Sequence, residues 1–405
     1  MISAFDAVII GAGPAGSTAA ILLARAGWKV ALVERQSFPR RKVCGECIAA
    51  TNLPLLEQLG VGISFHALAG PPLKQVALLS GDHDIRSELP PLKESTRPWG
   101  RALGREHLDY LLLQQAERAG ATVLQPWTMQ SFEGEAGNWL CRLRSSESTT
   151  LRELTSPILI VASGSWGQEY KRPHQPGDLL AFKAQFTDTR LEPGLLPVLA
   201  FRGGYGGMVV SDTGITTVAC CIRRDQLGRC RTQAAGQAAG DAVEAYLKAS
   251  CSLVSQALEG ACRTDPWLAT GPIHPGIHFG RGKPDVFLIG NAAGEAHPII
   301  GEGISMAIQS AWLLSDMLTG TARSELHPDA QRQLGRAYEK RWRQLFTSRL
   351  YAAATLAHLA MRPHLASGLL PLLKRKPDLL TYAARVCGKV SKMRAGERLR
   401  TVSEF

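Results

Sequence analysis

The chain has 405 residues, 45% of them hydrophobic and 20% charged, which is the make-up of a globular protein with room for two packed domains and excludes a single small module. There is no run of 18 apolar residues, no basic leader before the first strand-like segment, and an odd nine cysteines; these exclude a secreted disulfide scaffold and lead us to expect a cytoplasmic protein with reduced thiols. The formal charge of +11 comes without zinc-ligand spacing, a helix-turn-helix pattern or an RNA-binding aromatic signature, so neither a metal nor nucleic acid is expected.

In chain order, Asp6-Ala7-Val8-Ile9-Ile10 predicts a buried parallel strand that stops at Gly11. Gly11-x-Gly13-x-x-Gly16 follows, then a small-residue helix over 17–26 and a second strand over 28–33 that ends at Glu34. Gly11 permits the tight turn, Gly13 lets a pyrophosphate approach the backbone, and Gly16 lets helix and strand pack closely. The helix N-terminus then turns its free N–H groups and positive dipole end to the phosphates. Glu34, 18 residues after Gly16, is placed to accept hydrogen bonds from a ribose. A Rossmann-type dinucleotide site is therefore expected from Gly11, Gly13, Ala15, Gly16, Glu34 and Arg35.

Next come a turn, Lys42-Val43-Cys44-Gly45-Glu46-Cys47, and a helical segment, Leu103-Gly104-Arg105-x-x-Leu108-Asp109-x-Leu111. Segments 179–186, 195–201, 208–211 and 215–223 read as successive strands broken by Gly and Asp turns. Val286-Phe287-Leu288-Ile289-Gly290 is another buried strand, and Asn291-Ala292-Ala293-Gly294-Glu295-Ala296-His297-Pro298 and Gly301-Glu302-Gly303-Ile304 lead from it into a helix over 305–318. This is a second strand, glycine turn and helix N-terminus, so two anion sites are available to one long ligand. Residues 329–400 are largely helical, with Pro363, Pro371 and Pro377 as expected breaks. Positions 371–400 carry nine Lys/Arg against Asp378 and Glu397, either a solvated basic face or a docking surface for an anionic membrane or an acidic carrier protein.

Together these motifs resemble the flavoprotein family that includes p-hydroxybenzoate hydroxylase-type monooxygenases, geranylgeranyl reductases and flavin-dependent halogenases. The resemblance implies a glutathione reductase-like FAD/NAD(P)-binding fold, class α/β, with FAD as cofactor. The FAD-binding domain would comprise 1–70, 100–170 and 270–328, an antiparallel substrate-binding sheet 71–99 and 171–269, and a helical C-terminal region 329–405. Gly290, Ala292, Ala293, Pro298, Gly301 and Gly303 match the family's Gly-Asp-Ala-Ala, Pro and Gly-x-Gly loop, with Asn291 in place of its aspartate. Glu302 and Ile304 fall in the same flavin-binding stretch. Arg105 matches the arginine that lies over the cofactor, and Cys44 and Gly45 match the Lys-x-Cys-Gly turn of the reductase branch.

Three features depart from the family. Val161-Ala162-Ser163-Gly164-Ser165-Trp166-Gly167 lacks the hydroxylases' Asp-Gly, which leaves NAD(P)H only as a candidate electron donor beside a separate flavin reductase. The tryptophan halogenases' Gly-Trp-x-Trp-x-Ile-Pro segment is absent. Gly203-Gly204-Tyr205-Gly206-Gly207-Met208 stands where reductases carry Tyr-x-Trp-x-Phe-Pro, and its glycines are expected to leave room above the flavin. Three readings stand for Cys44-x-x-Cys47: a redox pair, a pocket-wall thiol, or packing. His297 and Glu302 are candidate acid/base groups beside Cys44, or loop residues bonded to backbone. Lys183 and Arg202 are candidate anchors for an anionic or phenolate substrate. The expected function is an FAD-dependent monooxygenase or oxidase acting on an apolar aromatic or polyketide-like molecule of secondary metabolism. The alternatives are reduction of isoprenoid double bonds and a non-catalytic electron relay.

Overall fold

The computed structural model describes residues 2–92, 95–165, 173–212, 214–280 and 285–386, apart from a few side chains within the last helices. Its centre is a five-stranded parallel sheet in the order Phe287–Leu288, Ile158–Val161, Ala7–Ile10, Val30–Val33, Thr122–Leu124. Apart from the exposed Thr122 at the start of the edge strand, these strands are apolar at every position because both faces are covered. Ala7, Ile9, Val30, Leu32, Ile158 and Ile160 pack toward helices Pro14–Arg25, Arg105–Arg118 and Gly303–Thr319. The alternating residues Val8, Ala31, Val33 and Leu159 pack against Trp139, Cys141, Leu143 and Leu154 of a second, four-stranded sheet. The side-chain period of two thus builds two cores from one sheet.

A larger sheet runs Cys262–Arg263, Leu179–Thr187, Ile215–Arg223, Gly204–Ser211, Leu195–Phe201, Gln75–Ser80, His83–Glu88, and Leu268–Ile273 also pairs with Leu179–Thr187. It is antiparallel except where Leu195–Phe201 lies parallel to Gln75–Ser80. Three helices, Arg224–Gln233, Ala239–Ser250 and Ser252–Ala257, cover its outer face, and its inner face looks toward the parallel sheet across a cavity.

Strand Gly204–Ser211 begins four residues before the predicted start at Met208. Gly204 and Gly206 are strand residues whose added Cβ would lie 2.2 Å from the Phe201 ring and 2.7 Å from the Ala219 carbonyl oxygen, respectively. They are glycine because neighbouring strands press on them, a packing reason that adds to the expected one of leaving room, since Gly206 and Gly207 also line the cavity.

The 33-residue helix Pro328–Ala360 buries Tyr338, Trp342, Phe346, Leu350, Ala353, Ala357 and Ala360, a stripe with steps of three and four residues that joins the main core. Helices Pro363–Arg375 and Asp378–Val386 then fold back over the large sheet, where Thr381 Oγ1 bonds Ser87 Oγ and the Glu88 carbonyl, each at 2.7 Å. Pro371 lies inside the first of these helices instead of breaking it; it is exposed, a position where water has access to the carbonyl that its ring leaves without a helical donor. The basic tail beyond residue 386 lies outside the described residues. No described helix is long and apolar enough to cross a membrane.

Candidate active site

The parallel strands end together, and their last residues Ile10, Val33, Val161 and Leu288 line a cavity of about 1420 Å³. Ligands of α/β sheets bind at such carboxyl ends, in pockets usually of about 300–1,000 Å³. This volume therefore has room for a large cofactor and a second molecule together.

The glycine motif divides its tasks as its spacing requires. Gly11 has φ +102°, and a Cβ there would sit 2.5 Å from the Ala162 carbonyl oxygen, while one at Gly16 would sit 1.8 Å from the Gly11 oxygen. Both are packing glycines. A Cβ on Gly13 would meet nothing closer than Arg105 Nη2 at 3.8 Å, so this residue faces open cavity at the helix N-terminus. Pro14 and Ala15 line the wall beside it. Buried Glu34 accepts the Ala12 N–H at 3.0 Å and the Gln36 N–H at 3.1 Å. Its substitution by Ala is expected to weaken FAD binding by about 1–3 kcal/mol, the cost of an unpaired buried partner, as read by titration of the apoprotein. Unchanged affinity would place the adenosine elsewhere.

Arg35, Arg40, Arg41, Lys42 and Arg105 all line this end of the cavity. Arg105 grips Asp109 through two 2.7 Å bonds; burial opposes its charge, but Asp109 and the Cys44 thiol outweigh that and hold it firmly protonated. Arg40 lies 3.6 Å from Glu34 and 3.4 Å from Asp109, yet its Nε and Nη1 are buried with no hydrogen-bond acceptor. Burial, then Arg40, Arg105 and Arg35, pull Lys42 down to about 8. Crowded cations beside a glycine turn and a helix N-terminus fit the pyrophosphate of a dinucleotide.

The other loop closes the opposite side. Gly290 has φ +60°, and a Cβ there would press on Ala15 at 2.9 Å. Asn291 Nδ2 donates to Ser165 Oγ at 3.1 Å and to Glu295 Oε1 at 3.3 Å, and Ser165 donates to the same Glu295 oxygen at 2.9 Å. This explains the departure at 291: an aspartate would set a second carboxylate against Glu295, whose own acid group burial already pushes up. Ser163, Gly164 and Ser165 occupy the wall where the Asp-Gly is missing; Trp166 and Gly167 lie outside the described residues. Ala292, Pro298, Gly301, Gly303 and Ile304 also line the cavity, Gly301 at φ +61° and Gly303 at the N-terminus of the second helix.

Cys44 and Gly45 lie on the cavity wall. Cys44 Sγ accepts the Glu46 N–H at 3.3 Å; Cys44 and Cys47 are not joined in a disulfide. Glu302 is instead fully buried behind the loop, 3.8 Å from Arg349. His297 is also buried. Its Nδ1 is 3.0 Å from the Tyr205 hydroxyl, and its ring centre is 5.8 Å from that of exposed His358. Tyr205, which sequence reasoning did not single out, is the member of this group on the cavity wall.

Burial and then His358 lower His297 to about 4, so its imidazole is neutral at pH 7. Between its ordinary value of about 6.5 and that lowered value, the unfolded chain binds a proton that the folded chain rejects. Stability is therefore lost as pH falls through this window. Denaturant titration should show this single group costing on the order of 2 kcal/mol between pH 7 and pH 5, a difference that His297→Gln removes. Equal pH dependence in the two proteins would contradict the buried neutral ring.

Lys183 and Arg202 do not anchor a substrate. Arg202 is exposed. Lys183 is fully buried behind the wall, bonded to the Glu46 carboxylate and 3.7 Å from Glu106. Glu46, held at φ +60°, also accepts Thr217 Oγ1 at 2.5 Å and the Arg105 N–H at 3.0 Å. Lys183 thereby fixes the Cys44 turn to the start of the Arg105 helix. The described residues contain no group of three His, Cys, Asp or Glu able to hold a metal ion.

A glycine turn at a helix N-terminus beside crowded cations, a buried carboxylate at the end of the second strand and a second loop closing on the same cavity together fit a dinucleotide such as FAD. Residues 4–189 match the family described as FAD binding domain. The chain is 27% identical to tryptophan 2-halogenase of Chondromyces crocatus over 76% of its length. It is 24% identical to menaquinone reductase of Mycolicibacterium smegmatis, covering 95% of this chain and 91% of that one. It spans 63% and 59% of the first two curated relatives it matches, the second being that halogenase. The solved myxobacterial chondrochloren halogenase shares the fold with a TM-score of 0.73 at 20% identity, over 87% of this chain and 83% of that one. Residues 4–189 therefore form an FAD binding domain, so the cofactor is FAD, and the whole chain shares its fold with solved flavin-dependent halogenases and a geranylgeranyl reductase-like protein.

Proposed function

We propose that this protein is an FAD-dependent monooxygenase of an apolar aromatic or polyketide-like small molecule in secondary metabolism. The observation that carries the reading is the two-ended cavity. Its cationic end suits the dinucleotide, and its far end is walled by Val76, Leu78, Leu196, Val198, Leu359 and Leu380. Such a wall offers a flat or extended apolar molecule burial worth roughly 25 cal/mol per Å², and it keeps water from the reacting centre.

When bound, FAD supplies the electrons and the oxygen chemistry. The chain's own residues do the rest. Arg40, Lys42 and Arg105 would hold the pyrophosphate, and Glu34 the ribose. The 290–304 loop and the Cys44 turn would border the ring. Tyr205 offers a hydroxyl at the wall, backed by neutral His297, to hold or pass a proton. With Ser165 engaged by Glu295 where the Asp-Gly is missing, a separate flavin reductase is the expected electron source in preference to direct NAD(P)H.

The near full-length match to a menaquinone reductase, with the Lys42-x-Cys44-Gly45 turn, favours a second reading, reduction of an isoprenoid double bond. Chemically reduced holoprotein, mixed with phenolic polyketides and with isoprenoid quinones under ¹⁸O₂, separates the two. One labelled oxygen atom in the product supports the monooxygenase. A product gaining two hydrogens across a double bond of its isoprenoid chain, with no label, replaces that reading with the reductase. Flavin reoxidation with neither product points to an electron relay.

A further inference from the structure

Three of the eight exposed large hydrophobic residues among those described, Leu372, Leu379 and Tyr382, fall within eleven positions of helices Pro363–Arg375 and Asp378–Val386. The others are spread from Ile63 to Tyr351. These same two helices wall the apolar end of the cavity through Leu373, Leu379, Leu380, Ala383 and Ala384. Leu379 is on both surfaces: it is 37% exposed and lines the cavity, so the cavity reaches the outside beside it. Lys374 and Arg375 in the last turn of the first helix and Lys376 just after it are all exposed, and the one acidic residue in 371–386 is Asp378.

We propose that this helix pair is a lipid-docking mouth. It seats on an anionic membrane surface and admits the apolar substrate from it, a step that rests on the apolar-substrate part of the proposed function. Leucine, tyrosine and basic side chains on one short helical pair suit the boundary between acyl chains and anionic headgroups. An acidic protein partner would satisfy the cations but gives no reason for exposed leucines at a cavity opening. Docking would also spare an apolar substrate passage through water. The second helix of the pair is tied to the large sheet through Thr381.

The test is co-sedimentation of FAD-loaded protein with phosphatidylcholine vesicles, with and without half phosphatidylglycerol, at low and high salt. Strong partition onto the anionic vesicles only, reversed by salt, is expected. Replacing Lys374, Arg375 and Lys376 by Gln should weaken it about 100-fold, at roughly fivefold per charge. Leu372→Ser with Tyr382→Ser should weaken it about tenfold, through lost apolar burial that salt does not mimic. All these side chains are exposed, and FAD content serves as the check that each variant is folded. Absence of partition overturns the proposal, and so does partition that survives all the substitutions, which would assign docking to another surface. Oxygenation of a water-soluble phenol without vesicle binding would sink the mouth and leave the proposed function standing; vesicle binding without oxygenation would do the reverse.

Discussion

Gly13→Val is expected to fold normally and to lose FAD. An added Cβ at this position meets nothing nearer than the end of the flexible Arg105 side chain at 3.8 Å, so the apoprotein accommodates the substitution. The branched side chain then stands at the N-terminus of helix Pro14–Arg25, where the pyrophosphate must approach the backbone. Affinity should fall on the order of a thousandfold or more, equivalent to about 4 kcal/mol, while the unfolding midpoint of the apoprotein stays near that of the parent. Gly16→Val is the contrasting variant, because its Cβ would overlap the Gly11 carbonyl oxygen at 1.8 Å and should damage folding itself. If Gly13→Val bound FAD normally, this glycine would have no part in the cradle.

Lys183→Met should be strongly destabilising, costing about 3–5 kcal/mol in a urea titration. It leaves the Glu46 carboxylate fully buried with its cation gone, near Glu106 and Asp212. Asp212 shows the local condition. Burial, with Glu46 adding to it and the Gly104 N–H opposing, already pushes that carboxyl up. Pairing Lys183→Met with Glu46→Gln should recover part of the loss, since the second change removes the orphaned charge. The single variant should also bind FAD more weakly, because the Cys44 turn and the start of the Arg105 helix are both tied to Glu46. A cost below about 1 kcal/mol would mean that water reaches the pair.

What the sequence made legible was local. Gly11, Gly13, Gly16 and Glu34 act within one βαβ unit, so their spacing alone states their geometry, and the same holds for Gly290, Gly301 and Gly303 in the second loop. The parts that stayed hidden join residues far apart in the chain. Lys183 meets Glu46 across 137 positions, Ser165 meets Glu295 across 130, and Tyr205 meets His297 across 92. Nothing in the neighbourhood of Lys183 distinguishes a strand lysine that reaches substrate from one locked behind the wall; only the packing of the large sheet decides it. Asn291 is similar. It reads as a weakened ribityl contact until Glu295 is seen beside it, when the amide becomes the group the site requires. Pro371 erred in the other direction, since its effect depends on whether water can replace a lost hydrogen bond.

The most direct test of the account is to denature the purified protein and identify the flavin it releases. FAD at one per chain, absent from Gly13→Val, is the expected result. A colourless protein that takes up no FAD on titration, or one that releases FMN, would contradict the assignment of the cationic end of the cavity to a dinucleotide.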